Sequence, residues 1–160
     1  DSILLKSKRL DLTMGGSMLV AQSSKYVDRG QLHAHSLVPR RTVYLPVYRS
    51  SGYDGQKAFD AADPAVSDGN RRTSTVAGQA LYLMNSELVH ESSKALANFV
   101  MSQETEERSS WLIEHLLGRE ATEEECLRCE AFVSGYGDEV EAWAAFSRVL
   151  FSSNEFLYVE

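Results

Sequence analysis

The residues with the most chemistry to offer lie in the middle of the chain: Arg41, Arg49, Asp60, Asp63, Arg71, Arg72 and Asn85, with Arg40 beside the first. A guanidinium presents a planar fork of donors to a carboxylate, so a fixed pair supplies orientation and charge compensation together. Placed in loops ahead of a helical body, such pairs would tie the loops onto that body. The same arginines could instead line an anion pocket, for which an acidic sugar or a free carboxylate is the chemical match. The residue types support both readings.

Other constellations lead less far. Cys126-Leu127-Arg128-Cys129 has redox or half-zinc-site spacing, yet no second cysteine pair exists and Glu130 stands where haem attachment requires His. At helical spacing the two thiols share a stripe with Val133, which points to buried structural cysteines. His33 and His35 would face one side of an extended backbone, but nothing nearby completes a metal site. His90 and His115 fall on predicted helices beside Glu91 and Glu114, and adjacent helical residues do not face each other. Gly15-Gly16-Ser17-Met18 begins like a nucleophile elbow, but Leu19 replaces the closing Gly and no strand precedes it. Glycine-rich phosphate loops do not occur. No catalytic residue, metal or cofactor is therefore expected in this segment.

Bulk properties narrow the class. A chain of 160 residues that is 43% hydrophobic and 24% charged can bury a core. A net charge of -7 argues against nucleic acid, which is bound through an excess of Lys and Arg. Apolar stretches such as Val76 to Met84 are far shorter than the ~20 residues that cross a bilayer, so membrane insertion is not expected. Asp1 to Leu5 already reads as an amphipathic turn without a cap, so the chain is expected to be the C-terminal part of a larger protein. The segment itself is read as one domain over 1–160, loop-rich over 1–74 and helical over 75–160.

The periodicity predicts a mainly α fold: a compact bundle of about five helices behind a long irregular N-terminal third, with at most one short edge strand. A short helix ends near Arg9. Thr42-Val43-Tyr44-Leu45 is β-branched and aromatic, and Pro46 confines any strand there to an edge. Asp54 opens a brief helix to Phe59. Thr75 then caps a helix to Met84 whose apolar residues lie on nearly every side, which predicts the buried central helix. Leu88, Val89, Leu96, Phe99 and Val100 mark the next helix. Thr105 to Leu117 follows, with Trp111, Leu112 and Leu116 inward and Gly118 as its stop. Thr122 and Glu125 form a capping box for a helix to Val133. Asp138 opens the next, with Val140, Trp143, Ala144, Ser147, Leu150 and Phe151 on one stripe, and Ser153 caps a last turn that should dock.

An ordered series of these segments resembles a known family. It comprises Arg41 to Arg49, Phe59 to Pro64, Thr75 to Ser86, Leu117-Gly118-Arg119, Thr122-x-x-Glu125 and Asn154-Glu155-Phe156-Leu157-Tyr158-Val159. In that order, from about Leu10 to the end, the chain resembles the planctomycete PSD-one domain, a family of unknown function. Gly78 and Ala121 stand where the family often has Pro, which alters helix starts rather than chemistry. The resemblance implies an extracytoplasmic, multidomain parent with a cytochrome-c-like domain, and it implies no catalytic residues. The leading expectation is a noncatalytic structural or interaction domain whose partner is the preceding part of its own polypeptide. A polysaccharide-binding module or accessory part of a carbohydrate-active enzyme is the first alternative, and a support domain for haem electron transfer is the second.

Overall fold

The structure is a computed structural model that describes residues 1–14, 38–45, 47, 53–63, 65–67, 69 and 77–158. Its described helices are α1 (Ser2–Lys6), α2 (Asp54–Ala58), α3 (Ala77–Asn85), α4 (Glu87–Met101), α5 (Arg108–Leu117), α6 (Glu123–Ser134), α7 (Glu139–Phe151) and α8 (Asn154–Leu157), with 3-10 turns at Thr42–Tyr44 and Thr105–Glu107. Among the described residues the one strand-like feature is an isolated parallel bridge between Asp11 and Arg40. The fold is mainly α. Contacts divide it into two compact units, one of Asp1 with Leu10–Tyr82 and one of Ser2–Arg9 with Leu83–Glu160.

In the first unit, Asp1 explains why Thr42–Tyr44 is a turn and not the extended piece its β-branched residues suggest. The Asp1 carboxylate accepts both the Thr42 backbone N–H at 2.9 Å and its hydroxyl at 2.8 Å. It caps the 3-10 turn from a distant part of the sequence, while Arg41 before the turn stays extended. Propensity for a strand is weak without a neighbouring strand to pair with, and this local capping wins. Farther on, α2 lies against Tyr82. A Cβ on Gly55 would stand 2.7 Å from the Tyr82 Oη, so glycine is what permits the approach. Phe59 meets the Tyr82 ring edge-on with centroids 6.1 Å apart.

The core of the second unit is built on α4 and α7, its most extensive helix pair. Val89, Ser92, Ser93, Leu96, Ala97 and Val100 are the buried residues of α4. They recur at the three- and four-residue spacing of a single helical stripe. On α7 the buried residues are Ala142, Trp143, Ala144, Ala145, Ser147 and Phe151. Four consecutive buried positions turn through most of a circle at 100° per residue, so the start of α7 is enclosed rather than laid on a surface. Val140 lies outside that enclosure, 38% exposed, contrary to its place on the predicted stripe.

Helix α3 is not the central helix that its apolar sequence predicts. Leu83 is its sole buried residue, while Leu81 and Met84 are 60% and 61% exposed. One buried position in nine residues does not make a core helix, and within the second unit the central role belongs to the longer α4. The predicted Thr75 cap lies outside the described residues.

Candidate functional site

The seven singled-out residues do not form one described site. Arg49, Arg71 and Arg72 lie outside the described residues, as do His33, His35 and Gly15 to Met18. Arg41 pairs with Asp1, Nε to Oδ2 at 3.8 Å, and Arg40 with Asp11 at 3.4 Å. Both tie one irregular segment of the first unit to another, with carboxylates other than Asp60 and Asp63. Asn85 is the exposed last residue of α3.

Both aspartates have backbone work. Asp60 follows α2 with φ +52, the left-handed region, and the next amide, Ala61, donates back to the Gln56 carbonyl at 2.9 Å. That bond is the six-to-one closure of a Schellman stop, normally a glycine position, which a short polar side chain tolerates better than most. Asp63 accepts the Ala65 amide on its own Oδ1 at 2.9 Å, a local turn in which the carboxylate stands in for a backbone carbonyl. Lys8 does for α1 what Asp60 does for α2, with φ +55 and the Arg9 amide bonded to the Leu4 carbonyl at 2.9 Å.

The most concentrated charged constellation is one that residue-by-residue reading missed. Arg119, just past the left-handed Gly118 that ends α5, is clasped between two carboxylates. Its Nη1 and Nη2 donate to Glu125 at 2.9 and 2.6 Å, and its Nε and Nη2 donate to Glu155 at 2.5 and 3.0 Å. Glu125 also completes the capping box, accepting the Thr122 amide at 2.9 Å while the Glu125 amide donates to the Thr122 hydroxyl. These bonds to its charged form hold the Glu125 carboxyl down to about 2, and Arg119 draws Glu155 below its ordinary range. Three of the segments that carry the family resemblance thus meet at one guanidinium.

The cysteines and His115 are also committed to packing. Cys129 is fully buried on α6 and Cys126 is half-buried, both as free thiols. Burial pushes the Cys129 thiol up to about 12, far from the depressed range of a reactive thiolate. Native protein treated with iodoacetamide is therefore expected to gain its first label at Cys126, with Cys129 modified only after unfolding, as read by peptide mass. Equal labelling rates on native protein would contradict the buried placement. The His115 ring lies flat on Trp111 with centroids 4.7 Å apart, and its Nε2 donates to the Lys6 carbonyl at 2.8 Å. The Lys6 ammonium returns a bond to the His115 carbonyl. Trp111 is consequently half-buried, a cover for His115 rather than the core residue expected. Among the described residues, no three His, Cys, Asp or Glu side chains converge where they could hold a metal.

A mainly helical domain whose polar side chains chiefly cap helices and join segments is what this arrangement defines. The chain belongs to the PSD1 family, described as a protein of unknown function (DUF1553), which matches residues 1–133. Arg119 and Glu125 lie inside the matched stretch and Glu155 beyond it. No curated protein and no solved structure matches the chain.

Proposed function

We propose that this chain is a noncatalytic structural and interaction domain that packs against the preceding part of its own polypeptide, outside the cytoplasm. The observation that carries the reading is apolar. Leu12, Met14, Val43 and Val47 are 65%, 77%, 71% and 75% exposed, and they lie on the two segments that the Asp11–Arg40 bridge joins. Single exposed apolar residues are ordinary, and it is the grouping of four on two joined segments that supports a surface covered by another protein. The polar groups support the same reading, because the described carboxylates and guanidiniums with the best geometry are engaged with one another or with the backbone. Amide exchange tests it directly. The amides of residues 12–14, 43–45 and 47 are expected to exchange more slowly in the full-length polypeptide than in this chain alone, and equal rates in both would remove the support for a covered surface.

A further inference from the structure

We propose that α8 is a detachable strap, held closed by Arg119, that opens without unfolding the helices beneath it. The Arg119 node has two unequal ends. At Glu125 the carboxylate is held by the guanidinium and by the Thr122 amide and hydroxyl, so that end is fastened to the capping box of a twelve-residue helix. At Glu155 the described polar tie of the side chain is Arg119. Glu155 sits in a helix of four residues, too short to persist without tertiary support.

What else holds α8 is local or apolar. Ser153 caps it, its hydroxyl accepting the Phe156 amide at 3.3 Å, and the Leu157 and Tyr158 amides return to the Ser153 and Asn154 carbonyls at 3.2 and 2.9 Å. Phe156 lies edge-on against Phe151 of α7, centroids 5.2 Å apart, and Phe151 is fully buried. Opening α8 therefore exchanges the guanidinium contact, the Phe156–Phe151 contact and the packing of half-buried Leu157 for water and bares the Phe151 ring. The buried stripes of α4 and α7 are not taken apart. Local openings of this kind occur in cooperative units with free energies well below that of global unfolding.

The inference goes beyond the interaction role and concerns a different unit of the chain, so either can fail alone. Its test is amide exchange on the whole chain carrying Glu155→Gln, with Arg119→Gln as the second variant. Glu155→Gln is expected to speed exchange at Phe156, Leu157 and Tyr158 by about threefold or more, while the Leu96 and Val100 amides of α4 keep their rates. Arg119→Gln should repeat that pattern and also speed the Glu125 amide at the capping box. A smaller change at the three α8 amides would show that the apolar contacts alone hold the helix. Equal acceleration at Leu96 and Val100 would show that the node braces the whole body, and either result overturns the strap.

Discussion

Phe151→Ala is expected to lower the stability of the second unit by about 3–5 kcal/mol. Phe151 ends α7, is fully buried, and is among the largest of the side chains with no solvent contact. Truncation removes the apolar surface of a whole ring and leaves a cavity whose walls relax only in part, so the transfer and cavity terms add. The walls include Phe156, whose edge contact to Phe151 is the apolar anchor of α8, so the substitution also loosens that helix. Both tryptophans, Trp111 and Trp143, belong to the second unit, which makes their fluorescence a specific probe of its unfolding. For a chain of this length the loss corresponds to a midpoint lower by about 6–20 °C. A shift below about 2 °C would mean that Phe151 is not in the closed core.

Legibility from sequence followed distance along the chain. The Thr122–Glu125 box, the left-handed Gly118 and the Asp138 and Ser153 caps were readable because each motif closes within about four residues of backbone, where residue type and spacing determine the bond. The stripe on α4 was readable for the same reason, through its repeat. Arg119 was noticed only as part of a short motif, since nothing local announces that it reaches Glu155, 36 positions away. Asp60 has a role that its residue type does not announce: its left-handed backbone makes it a helix stop.

Apolar content misled at α3 because hydrophobicity reports what a residue can bury, not whether a neighbour arrives to cover it. Arg108 is illegible on similar grounds. It closes the end of α4 by donating to the Met101 and Gln103 carbonyls and reaches Glu139 at the start of α7 at 2.6 Å. Orphan carbonyls at a helix end need such donors, but which distant side chain supplies them is a property of the packed structure.

Ala144→Leu is expected to destabilise the second unit by about 1–3 kcal/mol, by overfilling rather than emptying it. In isolation the change would favour helix or leave it unchanged, since Leu follows Ala closely in helix propensity, and it adds apolar surface to bury. Those gains decide the sign only where the added atoms have somewhere to go. Ala144 has no exposed surface, and its neighbours Ala142, Trp143 and Ala145 are buried as well, so turning the new side chain either way about the helix meets another covered position. The small residues Ser92, Ser93 and Ala97 on the buried stripe of α4, facing a helix that also carries buried Ala and Ser, are the composition that close approach of two backbones requires. The Arg148 Nη1 also donates to the Ser93 Oγ at 3.4 Å, a polar tie between the same two helices. Prying them apart disturbs contacts along their length, so the expected signature is a lower midpoint by tryptophan fluorescence with faster exchange at Leu96 and Val100. Ala144→Gly separates this from ordinary helix propensity, because it costs about 1 kcal/mol without adding volume and should leave the packing of α4 unchanged. If Ala144→Leu instead raised the midpoint, α7 would border space that the larger side chain fills.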